Sequence, residues 1–326
     1  MGGVPAILDG VRRGAGPALL ALLLGLGSAA PVAAGPYENG EAAFTRGSYA
    51  AALRWWRQAA AESDPEAEVG LGTLYALGLG VPHDDAEAAR WFRQAAERGL
   101  PLAQVRLADL YRDGQGVPKS PADAITWLSK AASQGSAVAQ VSLADMYRDG
   151  IGVAQNYAEA LHWYRQAAEQ DDAWGEVNLG VLYYNGRGVP QNYVEAAKWS
   201  RKAADLGFAD AQFHIGFMDA TGRGVPQDYE AAAAWYRKAA DQAFADAQFN
   251  LGVLYYNGQG VRQDDVSAHL WFQLAAQCYP ASASARRDNA VKSRDIVAAR
   301  MTPAQLARSR LLARQWLATH ADLAPQ

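Results

Sequence analysis

Tryptophan returns every 36 residues along this chain, at Trp55, Trp91, Trp127, Trp163, Trp199, Trp235 and Trp271. A glycine pair keeps the same step, from Gly78/Gly80 through to Gly258/Gly260. A fixed period of this size marks a stacked array, in which each unit buries its apolar face only against its neighbours. A single central core is thereby excluded, although a compact fold of 326 residues would be expected to divide into two domains. An array of this kind presents an extended surface, and such surfaces bind other proteins.

One unit, Pro101 to Ser136, shows what each repeat must do. Ala103, Leu107, Leu110 and Tyr111 fall on one face of a helix. Asp113-Gly114-Gln115-Gly116 stops that helix, and Pro118 holds Val117 extended. A second helix follows, with Ser120 at its N-cap, Pro121 in its first turn, and an apolar stripe of Ala124, Trp127, Leu128, Ala131 and Ala132. Paired alanines, from Ala59/Ala60 to Ala275/Ala276, keep the same period, as do Gly72, Ala108, Ala144, Gly180, Gly216 and Gly252; both sets let helices approach closely. The recurrence of the tryptophans beside these small residues predicts that they pack in the core.

The repeated pattern A-x-x-x-L-G-x-L-Y-x-x-G-x-G-V-x-x-D-x-x-x-A-x-x-W-Y-x-x-A-A resembles the Sel-1-like repeat, a relative of the tetratricopeptide repeat. Residues 247–276, AQFNLGVLYYNGQGVRQDDVSAHLWFQLAA, carry it almost complete. The resemblance implies an all-α fold, an α/α superhelical solenoid of 36-residue units acting as a scaffold or adaptor in bacterial envelope, signalling or secretion contexts. The organisation expected is a half-repeat cap over 37–64, six repeats over 65–279 and capping helices over 280–326. Thr302-Pro303-Ala304-Gln305 reads as a capping box opening the last helix, with Leu306, Leu312, Trp316 and Leu317 as its covering face.

Residues 1–34 differ in kind from the rest. Arg12 and Arg13 precede an apolar stretch, Ala18 to Leu26, that ends in Val32-Ala33-Ala34. These are the parts of a secretory signal peptide, and they predict cleavage near Ala34 and a periplasmic or secreted protein, not integral to the membrane. The apolar core is short for a span of roughly 20 residues; the alternative is a segment retained as an anchor. Removal of Asp9, Arg12 and Arg13 would leave the net charge one unit below the −4 of the whole chain. No basic patch stands out, so nucleic acid is not expected as a partner. Cys278 is the one cysteine, which excludes an intramolecular disulfide; it reads as an inert, partly buried thiol.

Positions that recur hold the scaffold, and positions that vary on one exposed face are candidates for recognition. The first helices vary at four positions spaced i, i+4, i+7 and i+11, which share a face. In units two and three this face brings Arg106, Asp109, Arg112, Asp145 and Arg148, a charged floor. In units four to six it brings Asn178, Val181, Tyr184, His214, Phe217, Asn250, Val253 and Tyr256, which are the candidate partner-binding residues. Asparagine amides there suit a peptide backbone, and the apolar and aromatic groups suit its side chains. Asp219 departs from the tyrosine of Tyr75, Tyr111, Tyr147, Tyr183 and Tyr255; it needs a partner, and His214 and Arg223 are candidates.

No cofactor, metal or catalytic motif is expected. The histidines His83, His162, His214, His269 and His320 share no ligand spacing, and the paired glycines belong to turns. Asp84-Asp85 and Asp264-Asp265 read as helix caps. The leading reading is a non-catalytic, monomeric scaffold, adaptor or regulator that holds a protein or peptide in its concave groove. One alternative is an enzyme acting on cell-wall or β-lactam substrates, an activity that the resemblance attaches to members with a cysteine pair in each repeat, which this chain lacks. The other is a glycan-binding structural protein of the envelope.

Overall fold

The computed structural model describes residues 35–320, so the signal-like segment lies outside the described residues. The chain begins with α1 (Pro36–Thr45) and α2 (Tyr49–Ala61), and continues with α3 (Pro65–Leu77) and α4 (Asp85–Glu97). Then follow α5 (Pro101–Asp113), α6 (Pro121–Ser133), α7 (Ala137–Asp149), α8 (Tyr157–Ala168), α9 (Ala173–Asn185) and α10 (Tyr193–Asp205). The last repeats are α11 (Ala209–Thr221), α12 (Tyr229–Ala240), α13 (Ala245–Asn257) and α14 (Asp265–Cys278), closed by α15 (Ser284–Ala298) and α16 (Pro303–Thr319). Among the described residues there is no strand. Each helix packs chiefly on its chain neighbours, and α3 to α14 form six hairpins of an α/α solenoid. Successive first helices also touch directly (α5 with α7, α7 with α9), which puts them on the inner layer of the curve.

The connection inside each hairpin needs both of its glycines. Gly222 ends α11 in the left-handed conformation at φ 66°, and its amide donates to the Met218 carbonyl. Gly224, at φ 74°, then crosses the start of the preceding unit's second helix, where a Cβ would stand 2.1 Å from the Tyr193 carbonyl oxygen. Alanine at this second site would meet both a strained backbone and a collision. The helix that follows is capped by Asp228, whose carboxylate accepts from the amides of Glu230 and Ala231. Asp84 and Asp264 cap α4 and α14 in the same manner.

The core differs from the sequence expectation by one position. Trp55 is 39% exposed and Trp91, Trp127, Trp163 and Trp199 are half-buried; only Trp235 and Trp271 are buried. The position that packs between units is the next residue along: Trp56, Phe92, Leu128, Tyr164, Ser200, Tyr236 and Phe272, all buried. The glycines of the first helices make room for it, since a Cβ at Gly72 would lie 2.6 Å from the Phe92 ring and one at Gly252 would lie 2.9 Å from Phe272. The first five tryptophans sit at the rim instead, and lysines stand over rings of the column: Lys130 lies 4.0 Å from the Trp127 ring and Lys238 3.9 Å from that of the buried Trp235.

A buried polar column, which the sequence reading missed, runs beside this core. Glu68, Gln104, Gln140, Glu176, Gln212 and Gln248 recur at the 36-residue step and are almost wholly buried. Each glutamine donates from Nε2 to an alanine carbonyl of the preceding helix, as Gln104 does to Ala96 at 3.1 Å. Five of the six column residues also have a side-chain partner, and the partner's charge follows the column's. Gln104, Gln140 and Gln212 accept from Gln134, Gln170 and Gln242. Glu68 pairs with Arg98 at 3.2 Å, and Glu176 with Lys202 at 3.1 Å. Gln248 departs from this, since its Oε1 has no hydrogen-bond partner; Cys278 stands at the partner position, where burial pushes its thiol pKa up.

The end of the array is covered by chain outside the repeat. The capping box of Thr302 and Gln305 starts α16. Leu306 and Leu312 pack with Val253, Tyr256 and Phe272, while Trp316 and Leu317 pack with Trp271 and Leu274. Buried His269 of α14 meets buried Ser309 of α16 at 2.9 Å, fixing the one helix on the other.

Candidate partner-binding groove

The variable face of the first helices behaves differently in the two halves of the array. In units two and three the charges neutralise one another: Arg112 pairs with Asp109 at 2.8 Å and with Asp113, and Arg148 with Asp145 at 3.0 Å and Asp149. Tyr164 hydrogen-bonds both Arg148 and Asp145, so this floor is tied into the core.

In units four to six the same face opens into a cavity of about 350 Å³. Helix α9 contributes Gly180, Val181, Tyr184 and Asn185; α11 contributes Phe213, His214, Phe217 and Met218; α13 contributes Asp246, Phe249 and Asn250. Arg286 and Asn289 of α15, with Tyr279, close one end. The cavity is walled by aromatic rings: Phe213 packs on Phe244 with centroids 5.2 Å apart, and Tyr184 on Phe217 at 6.4 Å. The Arg223 guanidinium lies over Tyr184, Tyr193 and Phe217, each within 5.7 Å, and donates to the Tyr184 hydroxyl.

Of the eight candidate residues, Val181, Tyr184, His214, Phe217 and Asn250 line this cavity. The other three do not. Asn178 is committed to the scaffold, accepting from Arg148 at 3.1 Å and donating to the Trp174 carbonyl at 2.9 Å. Val253 and Tyr256 lie in the cluster that α15 and α16 cover, and the Arg300 guanidinium stands 4.5 Å from the Tyr256 ring. The face was readable from its spacing, but its covering by the C-terminal helices was not. Phe213, Phe249 and Ser200 were missed because they sit at recurring, core-facing positions. Phe213 and Phe249 do carry a signal, for they replace the valine of Val69, Val105, Val141 and Val177.

The polar groups of the cavity are unequal. Asp246 is satisfied, accepting from the Tyr279 hydroxyl at 2.7 Å and from Arg286 at 2.8 Å. His214 is driven down to about 4 by burial, against the pull of Asp246, and is neutral near pH 7. Asp210 stands one turn before His214 on the same face; burial and the charge of Asp246 raise its pKa. Asp219 lies away from this face, and its partner is Arg201 at 3.5 Å, neither His214 nor Arg223. Among the described residues no group of three His, Cys, Asp or Glu side chains could hold a metal ion. No described helix is long and apolar enough to cross a membrane.

A superhelix of paired helices whose inner layer carries an aromatic cavity defines a repeat protein of the interaction type. The Sel1 repeat model matches residues 32–64, 65–100, 101–136, 137–172, 175–208, 209–244 and 245–279, and the chain belongs to this family. Proteins of this family generally act as protein-interaction scaffolds. The chain is similar to a Sel1 repeat protein from Oxalobacter formigenes, at 31% identity and a TM-score of 0.66, over 74% of this chain and 97% of that one. It is also similar to a protective antigen present in uropathogenic Escherichia coli strains and displaying an SLR fold. There the identity is 31% and the TM-score 0.57, over 89% of this chain and 71% of that one. No curated protein matches.

Proposed function

We propose that this protein is a non-catalytic scaffold or regulator of the bacterial envelope that holds a segment of a partner protein in the groove of units four to six. The observation that carries this reading is the contrast between the two halves of the inner face. In units two and three Arg112 and Arg148 are spent on neighbouring aspartates, whereas in units four to six the side chains surround an open, aromatic-walled cavity. Aromatic groups around a concavity are where binding energy concentrates.

Export past the inner membrane follows from the signal-like segment, and the protein works outside the cytoplasm as a monomer. The 31% identical protective antigen of uropathogenic Escherichia coli is in keeping with such a location. Fractionation checks this: intact chain found only in the cytosol, with residues 1–34 attached, removes the envelope from the reading.

Site-specific photo-crosslinking tests the groove. A benzophenone side chain placed at Asn185, on the cavity rim, should capture a discrete partner, and one at Gln166, exposed on α8, should not. The same product from both positions, or from Gln166 alone, would move the recognition surface off the inner face.

A further inference from the structure

The cavity sits where the repeat breaks its own packing rule. At the inter-unit core position six units carry a large side chain (Trp56, Phe92, Leu128, Tyr164, Tyr236, Phe272), and one carries serine, Ser200. The opposing first helix has kept the opening made for a ring. A Cβ at Gly72 would strike Phe92 and one at Gly252 would strike Phe272, but Gly180 faces no ring: the nearest atom to its Cβ position is the Ser200 hydroxyl at 3.0 Å. Removing a ring from a close-packed stack leaves a void unless the neighbours collapse into it. Here they have not collapsed, and Ser200 and Gly180 line a cavity that opens to the groove.

Charge of both signs stands around this cavity, with the Arg223 guanidinium held over Tyr184, Tyr193 and Phe217. Asp246 is neutralised by Arg286, but Asp210, on the same face of α11 as His214 and Phe217, has no cation paired with it among the described residues. An apolar hole one helical turn from a half-buried carboxylate with no paired cation suits a ligand that is bulky and apolar at one point and cationic at the next.

We infer that the cavity opened by Ser200 is an anchor pocket for one large apolar side chain (Phe, Leu, Met or Trp) of an extended peptide, with a Lys or Arg beside it drawn to Asp210. The inference rests on the reading of the groove as a peptide-binding surface and supplies the sequence preference of its ligand. At about 350 Å³ the pocket is at the small end of ligand sites, roughly 300–1,000 Å³, and suits a side chain with its adjoining backbone. The ring missing from the protein's own stack is then supplied by the partner.

Random peptides of about a dozen residues, displayed on phage and selected on the purified full chain, give the probe. The selected peptides should share a bulky apolar residue next to Lys or Arg. Their affinity should fall about tenfold or more in Ser200→Tyr, which fills the hole from the core side, with the folded state checked by thermal unfolding. Val181→Trp blocks the mouth from the exposed side of α9 and should give the same loss without touching the core. Asp210→Asn should weaken the cationic peptides about threefold to tenfold and leave their neutral variants unchanged. Selected peptides that bind Ser200→Tyr and Val181→Trp as well as the parent would sink the anchor pocket while leaving the groove reading intact. A selection that yields no peptide binding tighter than about 100 µM would sink both.

Discussion

Arg201 holds its guanidinium 3.5 Å from the carboxylate of Asp219, across the same 18-residue interval at which other units join arginine to tyrosine. Arg57 donates to the Tyr75 hydroxyl at 2.9 Å, Arg93 to Tyr111 at 2.7 Å and Arg165 to Tyr183 at 2.7 Å, and Arg237 bonds Tyr255. The fifth unit has thus exchanged a phenol for an acid and kept the arginine that binds it. The exchange is imperfect, since Asp219 is 3% exposed and its Oδ2 has no hydrogen-bond partner.

Asp219→Tyr should therefore restore the common rung and raise stability by about 1 kcal/mol. Arg201→Ala in the parent chain strips the cation from a buried carboxylate. After discounting for the exposed arginine, it should cost about 2–3 kcal/mol. Urea unfolding of the two variants decides between a tolerated ion pair and a neutral replacement, and equal effects would remove the pairing argument.

Two neighbouring aromatic residues should respond very differently to truncation. Tyr164 is wholly buried and hydrogen-bonded to Arg148 at 2.9 Å, so Tyr164→Ala should cost about 3–5 kcal/mol. Trp163 is half-buried at the rim, where His162 packs on its ring, and Trp163→Ala should cost about 1–2 kcal/mol. Because units stabilise one another through their interfaces, the Tyr164 loss should spread along the array as a broadened transition. A larger loss at Trp163 than at Tyr164 would reverse the assignment of core and rim.

The buried polar column predicts a rescue. Arg98→Gln alone leaves Glu68 buried opposite a neutral partner and should destabilise by about 1–2 kcal/mol. Adding Glu68→Gln recreates the arrangement that Gln104 and Gln134 already use at 2.9 Å, and most of the loss should return. A double-mutant cycle by thermal unfolding measures the coupling; additive losses would show that the pairing of charge with charge and amide with amide carries no energy.

His214 gives the fold a defined acid sensitivity. Its folded pKa of about 4 lies below its ordinary 6.5, so between these values the unfolded chain binds more protons than the folded one. Stability contributed by this residue is complete above about 6.5 and falls as the pH drops toward 4. Asp210 and Asp219 have raised pKa values and act in the opposite sense, so the residue is tested by difference. Between pH 7 and pH 5, His214→Leu should lose about 1–2 kcal/mol less than the parent chain. Identical pH profiles would mean that the imidazole is solvated.

The sequence by itself determined the unit and its repetition. The 36-residue step, the glycines of each turn, the acidic and amide caps and the capping box of Thr302 and Gln305 act within a few residues of one another, so local spacing displays them. It also displayed the face that carries Val181, Tyr184, His214, Phe217 and Asn250, because a helix places i, i+4 and i+7 together whatever surrounds it. Tertiary structure decided what depended on rotation and on distant chain. Trp163 and Tyr164 are both aromatic neighbours on one helix, and only the packing of α8 against α7 and α9 chose Tyr164 for the core. The burial of Val253 and Tyr256 came from α15 and α16, which lie outside the repeat. The pairing of Arg98 with Glu68 and of Arg201 with Asp219 came from the stacking of helices, which brings together residues 30 and 18 positions apart. Ser200 departs from a column that only the packing identified as core, and the uncollapsed space beside Gly180 made that departure a cavity.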